Sequence, residues 1–317
     1  MKSKGKSLRN GDTGQAGGLA PASRGHRRKR SKPVAYLFIL PTIILFGIFV
    51  CWPLVQTVYL SFTNWEGIGA IQFIGLKNYK EFFQDDLVRM AIKNNLLWMV
   101  VMCTFPIAIG LVQASLLVNS GIRHGKIFQL ILFLPQVFSS VIAAVIWSWM
   151  YNSAMGPLNE MLRAIGLESW ALPWLGNPQT VMICLLVMAV WMAYGFNTVV
   201  FSAAIQGIDT DLYEAATMDG CGVMRRFWHI TVPGVRSTMT TLLLFALIDS
   251  FKVFDIVYQM TKGGPGYSSY VMSYYLYDQA FIKNRTGYGA TIAVIMTIFI
   301  LVISRVFLRV RERGDRA

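Results

Sequence analysis

"DLYEAATMDGCGVMRRFWHITVP", residues 211–233, separates two long apolar runs. The run before it, residues 180–204, contains no Asp, Glu, Lys or Arg; the run after it, 238–260, contains Asp249, Lys252 and Asp255. A helix crossing the hydrocarbon core of a bilayer needs about 20 mostly apolar residues, and both runs reach that length. The segment between them is polar and carries its own punctuation, so it belongs in water. Asp211 and Glu214 have the spacing of a capping box, with an acceptor at the N-cap and a carboxylate three positions on. Tyr213 to Met218 suit a short helix that Gly220 and Gly222 would end. Val223, Phe227 and Ile230 then recur at helical spacing, and Pro233 would stop this second turn before the next run. The expectation is helix, sharp turn, helix, lying against the membrane face.

The rest of the chain fits that setting. Of 317 residues, 55% are hydrophobic and 14% charged, against roughly 25% charged in an average soluble domain. Six segments are long and apolar enough to span: 34–58, 94–118, 127–150, 180–204, 238–260 and 288–308. The expected fold is therefore all-α, a polytopic integral membrane protein with six transmembrane helices. Placing residues 1–32 in the cytoplasm puts 20 of the 29 Lys and Arg on that side and 8 on the other. Excess basic charge marks the cytoplasmic side, so both termini are expected there. Residues 1–32 are basic and Gly-rich without an apolar period, which reads as a disordered tail. The run from Val34 to Leu54 is too long for a signal-peptide core and reads as a retained helix. One transmembrane domain over 33–311 and a short cytoplasmic tail over 312–317 complete the organisation.

The net charge of +13 does not point to nucleic acid. Ten Lys and Arg sit in the first 32 residues and five lie at or beyond Arg305, with no basic stripe interleaved with aromatics. Cys51, Cys103, Cys184 and Cys221 form no CxxC pair, and the three histidines are scattered, so neither a disulfide framework nor a metal site is expected. No GxxxxGK[ST] loop occurs; "TKGGPGYSS", residues 261–269, reads as a turn. Trp147, Trp149, Trp170 and Trp174 are placed as an interfacial aromatic belt.

"EAATMDGCGVMRRFWHITVP" resembles the EAA loop of permease subunits of bacterial ABC importers: Glu214-Ala215-Ala216, then Gly220, then Ile230 and Pro233. Val232 stands where that pattern has Leu, and Cys221 where Ala is common. "FIGLKNYKEFF" (73–83), "PWLGNP" (173–178) and "MTKGGPGYSSYVMSYYLYDQAF" (260–281) resemble the carbohydrate-uptake, maltose-permease-like branch. The resemblance implies a core transport region over about 90–308. It implies a second permease subunit as partner, commonly a sister chain in a heterodimer, and an extracytoplasmic solute-binding protein. It also implies a cytoplasmic ABC ATPase dimer that grips the 211–233 loop through Glu214, Ala215, Ala216, Asp219, Gly220, Ile230 and Pro233. ATP and Mg would then be used by that ATPase, with no cofactor bound by this chain and no catalysis in it.

Residues of the solute path are sought in the spans flanking the loop. Trp191, Phe196 and Asn197 offer aromatic faces and an amide suited to sugars; matching outward from Glu214 adds Met192, Ser250 and Val253. Asp249, Lys252 and Asp255 step by three along the fifth run, either as an ion pair shared by Lys252 or as groups facing a wet path. An ion-coupled secondary transporter would draw on that same row. An integral-membrane enzyme would need a nucleophile–base pair or metal cluster, and the sequence displays neither.

Overall fold

The computed structural model describes residues 33–119 and 124–314; the expected tail over 1–32 lies outside them. Contacts divide the chain into two units, Met1–Cys51 and Trp52–Ala317. In the first, helix α1 (Pro33–Phe46) runs into a π-helical stretch, Gly47–Cys51. Phe38, Ile43, Phe49 and their neighbours are exposed on every side. A helix that is apolar all round is suited to lipid.

The second unit begins with α2 (Trp52–Leu60), followed by α3 (Lys77–Gln84) and the long α4 (Asp86–Asn119). Next come α5 (Gly125–Val137), α6 (Ser140–Met150), α7 (Pro157–Ala164) and α8 (Val181–Gln206). After them lie α9 (Thr210–Met218), α10 (Val223–Gly234), α11 (Arg236–Lys252) and α12 (Asp255–Met260). The unit closes with α13 (Met272–Tyr277) and α14 (Thr286–Gly314). Because α14 continues to residue 314, the expected tail over 312–317 is helical in its first half.

Among the described residues four stretches are long and apolar enough to span: Phe38–Leu60, Asp86–Asn119, Val181–Gln206 and Thr286–Arg311. Two bent pairs raise the number to six if each is one span: α5 with α6 at 92°, and α10 with α11 at 69°. The structure thus carries four to six spans, the expected six only on that condition, and two expected spans change shape. Residues 127–150 are not one helix. Pro135 cannot donate a backbone hydrogen bond, and three residues later Phe138 and Ser139 are extended (ψ 142° and 138°), which turns the chain. Residues 238–260 also break, with α11 ending at Lys252, Val253 extended (ψ 123°) and α12 starting afresh at Asp255.

Helix α8 forms the spine of the core, with Val181, Leu185, Met188, Phe201 and Ile205 almost wholly buried. Two glycines let its neighbours approach closely. A Cβ on Gly110 of α4 would lie 2.6 Å from Asn197 Cβ, and one on Gly195 would lie 2.0 Å from the Leu132 carbonyl oxygen of α5. Near the far end of α14, Arg311 Nε donates to Thr240 Oγ1 of α11 at 2.9 Å.

Buried polar side chains fasten the connections. Asn94 Nδ2 donates to the carbonyls of Ser268 (2.9 Å) and Tyr270 (2.8 Å), holding the 261–269 turn against α4. Asn95 Nδ2 donates to the Ser250 carbonyl at 2.7 Å, and its Oδ1 accepts from Met272 N at 2.8 Å. Asn95→Leu would orphan two buried backbone groups at about 1–3 kcal/mol each. The expected result is a lower unfolding temperature in detergent and earlier proteolysis within 261–272. An unchanged melting profile would show that these bonds are replaceable. Nearby, the Tyr275 and Tyr288 hydroxyls both donate to Asp85 Oδ2, and Arg285 Nη2 pairs with Glu81 Oε1 at 2.6 Å. Burial first, and then the bond to Asp85, pushes the Tyr275 phenol well above its usual pKa, so it remains a donor.

Of the four tryptophans expected in an interfacial belt, two are exposed and two make contacts within the protein. Trp149 and Trp170 are exposed. Trp147 instead packs on Trp191 with ring centroids 5.6 Å apart, and Trp174 Nε1 donates to the buried Asn159 Oδ1 at 2.7 Å.

Candidate functional site

The polar segment folds as two short helices joined by a glycine turn. Helix α9 starts earlier than the capping-box reading places it: the N-cap is Asp209, whose Oδ1 accepts from Asp211 N at 3.0 Å. Asp211 therefore lies inside the first turn, where its charge favours the helix N-terminus. At the other end Asp219 is the C-cap, and Gly220 adopts φ +72°. Cys221 N donates to the Ala216 carbonyl at 2.8 Å and Gly220 N to that of Thr217 at 3.0 Å, the paired bonds of a glycine-terminated helix. Gly222 (φ −66°, ψ 164°) has a different role, as N-cap of α10.

Helix α10 is tied back to α9. The Tyr213 hydroxyl and Thr231 Oγ1 are 2.9 Å apart, and Arg226 Nη1 donates to Thr217 Oγ1 at 2.7 Å. Pro233 does not end α10, which continues through Gly234; the bend falls at Val235 (φ −98°, ψ 12°). No residue of α9 is buried. Glu214, Ala215, Asp219, Gly220 and Pro233 are exposed, while Ala216 and Ile230 are half-buried. Leu212, Met218, Val223, Met224 and Trp228 are exposed as well. This is a rigid, small-residue surface with apolar side chains around it.

A cavity of about 560 Å³ lies at the other end of α11, walled by α4, α8, α11, α12 and the α5–α6 break. It gathers six of the eight expected path residues: Phe196, Asn197, Asp249, Ser250, Lys252 and Val253. The other two are elsewhere, since Trp191 packs on Trp147 and Met192 rests against the apolar core. Trp98, Gln136, Ser140 and Phe254 also line the cavity. The sequence reading missed them because they come from spans and breaks distant from the polar segment.

The three charged residues do not form one helical row, because α11 ends between Lys252 and Asp255. Lys252 Nζ lies 4.0 Å from Asp249 Oδ1, with both side chains mostly exposed. Asp255 Oδ2 instead accepts from Ser140 Oγ at 2.9 Å. An exposed pair of that kind contributes about 0–1 kcal/mol. Lys252→Met should therefore leave yield in the membrane unchanged and slow transport, because it leaves two carboxylates in the cavity wall without a counter-charge. Loss of yield in that variant would restore a structural role for the pair.

Residues 106–314 match the family model described as "Binding-protein-dependent transport system inner membrane component". The chain belongs to that family. The match takes in the cavity wall from Pro106 onward, the segment 211–233 and α14. A probable ABC transporter permease of Bacillus subtilis, YurN, is 35% identical over 90% of this chain and 98% of its own length. The diacetylchitobiose uptake permease NgcF of Streptomyces coelicolor is 33% identical over 93% of this chain and 88% of its own. Among solved structures, a chain of a bacterial alginate ABC transporter, crystallised with its alginate-pentasaccharide-bound periplasmic protein, superposes with a TM-score of 0.79. It is 26% identical and covers 89% of this chain and 94% of that one. This chain is thus a multi-pass inner-membrane component of an ABC importer. Among its described residues no cluster of His, Cys, Asp and Glu is arranged to hold a metal.

Proposed function

We propose that this permease forms, with a second permease subunit, the pathway of a carbohydrate importer, and that segment 211–233 couples it to a cytoplasmic ABC ATPase dimer. The observation that carries the coupling is the exposed glycine-terminated helix α9, braced by α10 and carrying Glu214, Ala215, Ala216, Asp219 and Gly220. Small residues permit close approach, the bonds to Thr231 and Thr217 keep the surface rigid, and the exposed Met218, Val223 and Met224 supply contact area. Ile230 and Pro233 connect this surface to α11. Hydrolysis belongs to the ATPase, which uses ATP and Mg; this chain contributes shape and no catalytic group.

The sugar assignment is supported by the relatives named above, one taking up diacetylchitobiose and one alginate. The cavity's mix of Phe196, Asn197, Ser250 and carboxylates suits stacking faces and hydroxyls. An extracytoplasmic binding protein would deliver the solute. Both termini face the cytoplasm, on the charge asymmetry, and reporter fusions after Gly264 and at the C-terminus should report opposite sides. An ion-coupled transporter does not fit the family match, although Asp249, Lys252 and Asp255 all line the cavity.

The decisive experiment co-expresses the permease pair with the cognate ATPase and binding protein, reconstitutes the complex in vesicles and measures solute-stimulated hydrolysis. Hydrolysis raised by a sugar-loaded binding protein is the expected result. A permease that transports without the ATPase would overturn the proposal.

A further inference from the structure

The break between α11 and α12 brings a cluster of aromatic rings to the cavity wall. Phe254 lines the cavity and stacks on Tyr258, with centroids 5.2 Å apart and planes 21° apart. Tyr277 of α13 stands edge-on to both, 5.2 Å from Phe254 and 5.4 Å from Tyr258. Phe281 lies 5.6 Å from Tyr277 and extends the cluster on that side. None of these four is buried. Their support is buried, because Tyr270 and Tyr274 lie behind them and the 261–269 backbone closes over that pair at Gly263.

An exposed acceptor, Asp255, stands at the cavity end of the cluster. Asp255, adjoining Phe254, is held by Ser140. Asp278, adjoining Tyr277, is nearly buried and pairs with Lys283 Nζ at 2.8 Å. The cluster starts where α11 ends, and α11 itself starts next to segment 211–233, so cavity and cluster lie at the end opposite that segment.

Resting on the sugar reading, we propose that Phe254, Tyr258, Tyr277 and Phe281 form an extended subsite for an oligosaccharide. One pyranose ring would lie in the cavity against Phe254 and Tyr258, with its hydroxyls donating to Asp255. The following rings would pass over Tyr277 and Phe281. Aromatic faces attract the CH-rich face of a pyranose through dispersion and their electron-rich surface, and a neighbouring carboxylate takes the hydroxyls, so the class recognised is a neutral oligosaccharide of more than two rings. A packing role accounts for Tyr270 and Tyr274 and for the half-buried faces of Phe254 and Tyr277, but it leaves unexplained the exposed rings of Tyr258 and Phe281 beside them.

The test uses the complete transporter in vesicles, supplied with saturating loaded binding protein. The probes are three pairs: maltose and maltotriose, cellobiose and cellotriose, diacetylchitobiose and triacetylchitotriose. Tyr277→Leu and Phe281→Leu should slow uptake of the accepted trisaccharide roughly three- to tenfold, the effect of losing one stacking partner. Uptake of the matching disaccharide should stay within about twofold of the unmodified protein, and Phe281→Trp should restore the trisaccharide rate. Equal slowing of both lengths, or no slowing of either, would overturn the subsite while leaving the sugar reading intact. Failure of all six probes to be moved by the unmodified transporter would overturn the sugar reading and the subsite with it.

Discussion

Gly220→Val is expected to stop uptake while leaving the chain in the membrane. Gly220 sits at φ +72°, a left-handed conformation that costs an ordinary residue about 1–2 kcal/mol and a β-branched one more. A Cβ there would meet nothing within 4 Å, so the penalty is conformational and does not come from a clash inside the chain. The helix end gives way first. Relief of the strain breaks the two bonds closing α9 and redirects α10, while the buried core stays as it is. The same open space lies on the face proposed to receive the ATPase. The measurements are membrane yield, binding of the ATPase and solute-stimulated hydrolysis; normal stimulation would remove segment 211–233 from the coupling role. Gly220→Asn should keep much of the activity, because Asn tolerates the left-handed region.

Gly195→Val should instead prevent the folded chain from accumulating. The added Cβ would lie 2.0 Å from the Leu132 carbonyl oxygen and 2.9 Å from Phe133 Cα. Both are backbone atoms of α5, which cannot rotate away as a side chain would. Helices α5 and α8 would have to separate by about 1 Å or more along a close-packed seam, at a cost on the order of 3 kcal/mol. Detergent extraction followed by size-exclusion chromatography should show aggregate in place of a monodisperse peak. Gly47→Ala is the matched control, since a Cβ there meets nothing within 4 Å; the glycine explanation fails if both variants behave alike.

Residues 180–204 were legible as a span because they carry no charge over 25 positions, and α8 covers them. Segment 211–233 was legible because its glycines and charges contrast with its flanks. Its N-cap was misplaced for a physical reason: Asp209 and Asp211 can each accept from an amide two residues on, and the Glu three places after Asp211 favoured the wrong one. The breaks at Phe138–Ser139 and at Val253 were hidden inside apolar runs, where composition cannot distinguish a straight helix from a bent one. Pro135 was the available sign for the first; Val253 offered none. The cavity depended on those breaks, which bring Gln136, Ser140 and Phe254 to its wall. Asn94 and Asn95, side by side at the head of a span, were a visible signal that helical periodicity alone does not interpret.

The 69° bend at Val235 gives α10 and α11 the geometry of a bell crank. Val235 is 1% exposed, so the elbow is clamped in the core while the short arm, α10, lies at the surface that a partner can push. The long arm, α11, has 17 residues and is about 25 Å long at 1.5 Å per residue. A tilt of 10° about the elbow would swing its Lys252 end by roughly 4 Å over that length. Spin labels at Met224 and Lys252, read against a fixed label on α8, would register the stroke. Because Asn95 ties the Ser250 carbonyl to Met272 N, a swing of the long arm would pull the start of α13 along with it.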